Sequence, residues 1–407
     1  MIALQTAELS ELGRVDRHAD QFTGVQVDSR RIVPGDLFVA VGRGSDFVGE
    51  ALERGAAATL IPDDAFAALA RIAGAVRDRS SARVVGITGS VGKTSTKDIL
   101  AALCMPSART IAAEASYNNE IGVPLTLCRL EADTEVCILE LAMRGFGQIA
   151  ALSEIARPDI GVITNVGPVH LELVDSLDGV RRAKGELLAA LPPGGTAIVP
   201  ADFPVDRDDI DVVRLGDPAA LIADGRTEFG GVSFNFTARH QVQNAAAALA
   251  ALAALGLPRP ASVDVDFSRW RGDEDELPGG GLLINDAYNA NPVSMRAALA
   301  YLVERAGDRR RVAILGEMAE LGRTGPDYHR QVGAVAAELG IDELLAVGEL
   351  ARGYLEHGVP GRWVANVHEA VRELDEVVRP GDAVLVKASR AVGLEAVAAA
   401  LTELATA

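Results

Sequence analysis

Short β-branched runs alternate along this chain with longer stretches whose apolar residues recur at helical spacing, and glycine or proline marks many junctions. In the first block, up to about residue 80, strands are predicted at Val25–Val27, Asp36–Val41 and Ala58–Ile61, with Pro34-Gly35 turning the chain and a helix over Asp64–Ala75. A second block opens at the strand Val84–Thr88, which runs into a glycine-rich turn and a helix over Thr94–Leu103. Further strands are predicted at Val136–Leu141 and Ile160–Thr164, and the block closes with a helix over Asn244–Leu255. Pro258, Pro260 and the acidic, glycine-rich run Gly272–Gly281 read as a hinge or linker. The third block has strands at Leu282–Asn285, Arg311–Leu315, Glu343–Val347 and Ala383–Val386, with helices over Val293–Glu304 and Tyr328–Leu339. Strand and helix alternating in this way predict parallel sheets with crossover helices, hence an α/β chain of more than one domain.

Composition narrows the choice. At 407 residues the chain suggests two or three domains. Half of it (49%) is hydrophobic but only 4% is aromatic, so the core is built from Ala, Val, Leu and Ile. A net charge of −18 argues against binding nucleic acid or an anionic membrane surface. Any phosphorylated substrate then needs a local cationic pocket. Cys104, Cys128 and Cys137, odd in number and without a CxxC pair, argue against a disulfide framework or a zinc ribbon and read as ordinary thiols. The first residues, MIALQTAELSELG, lack the basic and apolar regions of a signal peptide, and the apolar run Ala245–Leu257 falls short of the roughly 20 residues of a membrane span. It reads as a core helix, and the expected location is the cytoplasm.

The strongest motif is Gly86-Ile-Thr-Gly89-Ser90-Val91-Gly92-Lys93-Thr94-Ser95. Glycines between a strand and a helix let backbone N–H groups close around phosphate oxygens, and the helix N-terminus favours negative charge. Lys93 would neutralise β/γ oxygens and the Thr94 hydroxyl would ligate Mg²⁺. Ile87 stands where the strict GxxxxGK[ST] form has its first Gly. Glu140, ending a strand, and His170, six residues past Thr164, are candidate metal ligands; taken alone, each is an ordinary solvated or packed residue. Lys184, in Arg181-Arg-Ala-Lys-Gly-Glu186, reads on residue type as part of an exposed basic face.

These residues together resemble the Mur ligases, ATP-dependent amide-forming enzymes of peptidoglycan assembly. The resemblance is carried by Asp28-Ser-Arg30, the TGSVGKTS loop, Asn118-Asn-Glu-Ile-Gly-Val-Pro124, Asn165-Val-Gly-Pro-Val-His-Leu-Glu172, Ala183-Lys-Gly-Glu186, Asn285-Asp-Ala-Tyr-Asn-Ala-Asn-Pro292 and Lys387-Ala-Ser-Arg390. It implies three domains: an N-terminal α/β domain (1–80) for a UDP-sugar peptide, a central P-loop ATPase domain with a mainly parallel sheet (81–268), and a mobile Rossmann-like domain (269–407). It implies addition of D-alanyl-D-alanine to UDP-N-acetylmuramoyl-tripeptide through an acyl phosphate, by a monomer. By family position, Lys93, Lys184, His170 and Asn119 are catalytic, and Thr94, Glu140, His170 and a carbamylated Lys184 hold Mg²⁺. The residues 89–95, Asn244 at the adenine, Arg271 at the phosphates and Asp286 at the ribose bind ATP. Ser29 and Arg30 match the uridine diphosphate site, and Asn118 and Asn119 lie near the γ-phosphate and acceptor carboxylate. Asn289 and Asn291 face the D-Ala-D-Ala side, with an Asx turn before Pro292 as the local alternative. Ala388 replaces the glycine of the usual KGSR pattern, and the stretch between Leu215 and His240 is short for the family, implying a trimmed peripheral hairpin. A ligase for a different amine, or a non-catalytic nucleotide-binding scaffold, would share most of these features.

Overall fold

The computed structural model describes residues 1–223 and 225–406. It divides into two compact units. One comprises Met1–Asn165, Ala183–Thr237 and Val242–Asp266; the other comprises Val166–Arg182, Ala238–Gln241 and Phe267–Ala407.

In the first unit the N-terminal sheet has four strands, in the order Gly13–Arg17, Ala58–Pro62, Asp36–Val39, Gly24–Gln26. Only Gly13–Arg17 runs antiparallel. The sheet of six that follows is parallel throughout: Asp211–Leu215, Thr196–Pro200, Ile160–Ile163, Arg83–Thr88, Val136–Glu140, Thr110–Ala112. Because its strands run the same way, Thr88, Glu140 and Ile163 end on one edge, where α/β sheets bind ligands. The inner strands are covered on both faces, so Val136–Glu140 and Ile160–Ile163 are buried at every position. The helix Arg239–Ala254 begins earlier than predicted, and its Ala245, Ala248, Ala251 and Leu252 are fully buried. The segment after Leu215 keeps the strands Leu221–Ala223, Arg226–Phe229 and Val232–Phe234 as an antiparallel meander.

The second unit is built on a six-stranded sheet ordered Asp273–Leu277, Gly281–Asn285, Ala383–Lys387, Arg311–Gly316, Glu343–Val347, Gly361–Val364. Alternate residues of Arg311–Gly316 enter opposite cores. Ala313 and Leu315 join Met295, Leu299 and Leu302 of the helix Pro292–Ala306, whereas Val312 and Ile314 join Val397 and Leu401 of the helix Glu395–Thr406. Helices on both faces make this layer doubly wound. One expectation is corrected: within Gly272–Gly281, read as a linker, Asp273–Leu277 is an antiparallel edge strand. Its charged side chains suit an edge, and Glu274 takes hydrogen bonds from Tyr301 and Arg305. Among the described residues no helix is long and apolar enough to cross a membrane. Cys104, Cys128 and Cys137 are buried free thiols, each pushed up to about 12 by burial.

Candidate active site

The chain leaves the strand Arg83–Thr88 at a buried edge and must turn at once into the helix Lys93–Cys104. Two glycines make the turn possible. A Cβ on Gly89 would collide with Thr164 Oγ1, and Gly92 has φ +81°, with Asn244 Oδ1 where its Cβ would lie. Asn165 sets the shape of the loop. Its Oδ1 accepts from the N–H groups of Ser90 (3.1 Å) and Val91 (3.0 Å), while its Nδ2 and the Thr164 hydroxyl donate to the Val91 carbonyl. Lys93 Nζ arches back to the Gly89 carbonyl at 2.9 Å, over the space that phosphate oxygens occupy in such loops. Gly89, Ser90, Val91, Gly92, Lys93, Thr94 and Ser95 therefore form one continuous cradle.

Beside it, the Thr94 hydroxyl donates to Glu140 Oε2 (2.8 Å) and Asn118 Nδ2 donates to Glu140 Oε1 (2.9 Å). Thr94 and Glu140 are each 1% exposed. A hydroxyl and a carboxylate oxygen fixed at the mouth of a phosphate loop are the hard donors that Mg²⁺ prefers, so these residues fit the metal. No cluster of three or more His, Cys, Asp or Glu able to hold a metal occurs among the described residues. Asn119 is exposed, and its Oδ1 accepts from Gly122 N–H (2.9 Å) at the start of the helix Gly122–Leu127. Asn244, 7% exposed, takes a long hydrogen bond from Thr96 Oγ1 (3.4 Å).

Lys184 requires a correction. It is not part of an exposed basic face but 2% exposed, on the helix Leu177–Ala189. Burial, with the Lys93 charge adding to it, holds its amine well below the ordinary lysine range. That direction favours the uncharged, nucleophilic form of the amine. Ser29 is buried, its hydroxyl on Glu50 (2.8 Å). Arg30 is exposed and doubly bonded to Asp28, which its side chain lowers to about 2.

The second unit carries the rest. Lys387, 2% exposed, holds Asp286 Oδ2 at 2.5 Å and the Asn289 carbonyl at 2.9 Å. His240 packs edge-on against Tyr301 (5.8 Å); burial lowers its pKa, opposed by Asp286. The Arg271 guanidinium lies 4.1 Å from the centre of the Tyr288 ring. Asn291 caps the helix Pro292–Ala306, its Oδ1 accepting from Ser294 N–H three residues on, a helix cap rather than an Asx turn; Asn289 is exposed, with its Oδ1 on Ala290 N–H. His170 has φ +53°, and its Nδ1 faces Glu320. Ala388 is fully buried, and its methyl fits because Gly316 beside it has none. The sequence reading gave no role to Asn165 or Lys387, although both lie inside the segments that carried the resemblance.

Residues 87–252 match the Mur ligase middle domain family, and residues 275–390 match the Mur ligase, glutamate ligase domain family. The UDP-N-acetylmuramoyl-tripeptide--D-alanyl-D-alanine ligase of Mycobacterium tuberculosis strain H37Rv is 36% identical, covering 98% of this chain and 98% of its own length. The ligase of that name from Synechocystis is 34% identical over 94% of this chain and 92% of its own. Among solved structures, MurF from Acinetobacter baumannii superposes with a TM-score of 0.86 at 27% identity, covering 98% and 99% of the two chains. MurF ligase from Thermotoga maritima, solved in complex with ADP, gives 0.77 at 26% identity over 94% and 98%. With the glycine-rich loop in place and this likeness running through both units, the chain belongs to the Mur ligase family.

Proposed function

We propose that this protein is an ATP-dependent, ADP-forming ligase that joins D-alanyl-D-alanine to UDP-N-acetylmuramoyl-tripeptide in peptidoglycan precursor synthesis. The observation that carries it is the intact cradle of residues 89–95, with Thr94 locked to Glu140, in a chain similar over nearly its whole length to ligases of that name. Three domains, 1–80, 81–268 and 269–407, are assigned on the resemblance, each containing one of the larger sheets described above. The substrates are soluble precursors, which favours the cytoplasm, and a single copy of the chain supplies every proposed ligand.

A carboxylate is a poor acyl donor, so the reaction begins by giving it a leaving group. The terminal carboxylate of the tripeptide attacks the γ-phosphorus of ATP, the bond to the β-phosphate oxygen breaks, and ADP departs. The amine of D-Ala-D-Ala then attacks the acyl carbon, the bond to the phosphate oxygen breaks, and the nitrogen gives up a proton. Positioning and charge stabilise such a transfer. The N–H groups from Gly92 to Ser95, at the start of the helix, hold the phosphates while those of Ser90 and Val91 stay on Asn165, and Lys93 leaves the Gly89 carbonyl to meet their charge. Thr94 and Glu140 would hold Mg²⁺, which when bound offsets charge on the phosphate oxygens. The neutral amine of Lys184 reacts with CO₂, forming an N–C bond and losing a proton, to give a carbamate whose oxygens can serve as donors. Asn118 and Asn119 orient the acceptor carboxylate. The resemblance adds His170 to the metal ligands, Asn244, Arg271 and Asp286 to the nucleotide site, Ser29 and Arg30 to the uridine diphosphate site, and Asn289 and Asn291 to the amine side.

The test is phosphate release from ATP, with the UDP-tripeptide present and a panel of amines. D-Ala-D-Ala is expected to stimulate release above the other amines. Stimulation by a different amine alone would reassign the acceptor, and ATP binding without turnover under every condition would make the chain a scaffold.

A further inference from the structure

Lys97 has no part in the chemistry above, yet it is one of the most deeply buried cations in the first unit, at 3% exposure. It lies one turn after Lys93 on the helix that leaves the phosphate loop. Its Nζ reaches the carbonyls of Ala113 (2.8 Å) and Ala115 (3.1 Å) and the Asp98 carboxylate (2.8 Å). Lysine has three N–H donors and no acceptor, so three partners match its full capacity.

The two carbonyls belong to the segment that leads from the edge strand Thr110–Ala112 to Asn118 and Asn119. Between them the backbone takes an unusual path. Ala115 has φ +45°, a left-handed conformation that alanine adopts only when its surroundings impose it. Three residues later, the Asn118 carbonyl accepts from Ala142 N–H (2.9 Å) and its side chain meets Glu140. From the other side Arg31, next to the proposed uridine diphosphate turn, donates to Glu114 Oε2 and the Tyr117 hydroxyl, each at 2.9 Å. The segment is thus held by a lysine from the phosphate helix and by an arginine from the 3-10 turn Ser29–Arg31.

We propose that Lys97 is a positioning residue for the transfer step: by bonding the carbonyls on both sides of the left-handed turn at Ala115, it fixes residues 113–119 so that Asn118 aligns Glu140 and Asn119 faces the acceptor carboxylate. The proposal rests on the ligase reading for its activity assay, but not for its structural readouts. The partners of the Lys97 amine are Ala113, Ala115 and Asp98, so its effect falls on turnover and on the acceptor substrate rather than on nucleotide binding.

The test is Lys97→Met in the full-length chain. Nucleotide Kd by calorimetry is expected within threefold of the parent, with kcat at least 50-fold lower, KM for the UDP-tripeptide raised, and faster hydrogen exchange at residues 113–119. Glycine adopts the left-handed turn without help, so Lys97→Met combined with Ala115→Gly should recover at least fivefold in kcat. A variant that lost nucleotide binding and turnover in parallel, with no recovery from Ala115→Gly, would make Lys97 merely structural. A variant within threefold of the parent in kcat would remove the role altogether. If Lys97→Met does not fold, Ala115→Val decides. Position 115 is exposed, so this change acts on the turn alone and should lower kcat at least 30-fold with Kd unchanged; parental kcat would overturn the proposal. If the parent itself shows no amine-dependent release, the ligase reading fails, and exchange at 113–119 with nucleotide Kd still judges Lys97.

Discussion

Gly92→Ala tests whether the cradle depends on its backbone shape. The residue has φ +81° and ψ −2° and opens the helix Lys93–Cys104. An alanine in this left-handed well costs about 1–2 kcal/mol. The new Cβ would also strike Asn244 Oδ1, so the buried amide must move and give up its long bond from Thr96, a further ~0.5–1.5 kcal/mol. The chain can respond in two ways. If the loop keeps its shape, the fold bears a total of about 1.5–3.5 kcal/mol, visible as a fall in Tm of a few degrees. If the loop relaxes to negative φ, the N–H groups that follow turn away from the phosphates, and the same energy appears in binding, about 10- to 300-fold in nucleotide Kd. Calorimetric titration with ADP and a thermal melt on the same variant separate the two. We expect most of the cost in binding, at least 30-fold, because the helix behind the loop is anchored by buried Ile99, Leu100 and Leu103. Gly145→Ala, where a Cβ meets nothing within 4 Å, is the control and should change neither. Parental nucleotide affinity and Tm in Gly92→Ala would refute the assignment of the loop.

Lys93→Ala removes a half-buried side chain whose Nζ bonds the Gly89 carbonyl, so turnover should fall by more than a thousandfold while Tm moves by less than about 2 °C; a lost thermal transition would show that the lysine holds the loop. The fold disfavours a charged Lys184, so the unmodified residue costs stability below its ordinary value near 10.5, increasingly as pH falls toward its own depressed value and constantly below that. Lys184→Met in CO₂-free buffer should therefore melt higher than the parent near pH 7, lose that gain as pH rises toward 10.5, and show no turnover; a lower melting point at pH 7 would contradict the burial argument. Parent turnover should fall in CO₂-depleted buffer and recover with bicarbonate, and its absence of response would count against the carbamate. Asn291→Ala removes a helix cap worth about 1 kcal/mol, so Tm should fall and KM for D-Ala-D-Ala should rise with that for the UDP-tripeptide unchanged; an unaltered Tm would contradict the cap.

Where strands are covered on both faces, the sequence displays them directly. Val136–Glu140 and Ile160–Ile163 are continuous β-branched or aliphatic runs because neither face meets water. The strands that escape the pattern are mostly edges: Gly13–Arg17, Thr110–Ala112, Asp211–Leu215 and Asp273–Leu277. An edge strand needs few apolar positions, and its pairing is decided by a neighbour distant in sequence. Asp273–Leu277 reads as a charged linker until Gly281–Asn285 pairs with it, and Glu274 finds Arg305 thirty-one residues away. The site divides in the same way. The cradle is local and legible from Gly86 to Ser95, whereas the work of Asn165 depends on contacts with residues 74 and 75 positions earlier.

The two buried lysines show that some of the illegible part was written in the periodicity. Lys184 reads as a surface residue beside Arg181 and Arg182, yet it falls four residues after Val180 and four before Leu188, beside Ala183 and Leu187, all of them buried. Lys97 stands four residues after Lys93 and in line with Leu100, Ala101 and Cys104, which are buried as well. A cation on the apolar stripe of a helix has two stable outcomes: it finds acceptors, or it gives up its charge. Lys97 takes the first, with two carbonyls and a carboxylate. Lys184 takes the second, held toward the neutral form by burial and by Lys93. Position on the stripe, not residue type, separates both from the exposed Arg79 and Arg182, and it marks them as the lysines whose replacement by methionine should change the enzyme in opposite ways: the first by loosening a segment, the second by removing a nucleophile.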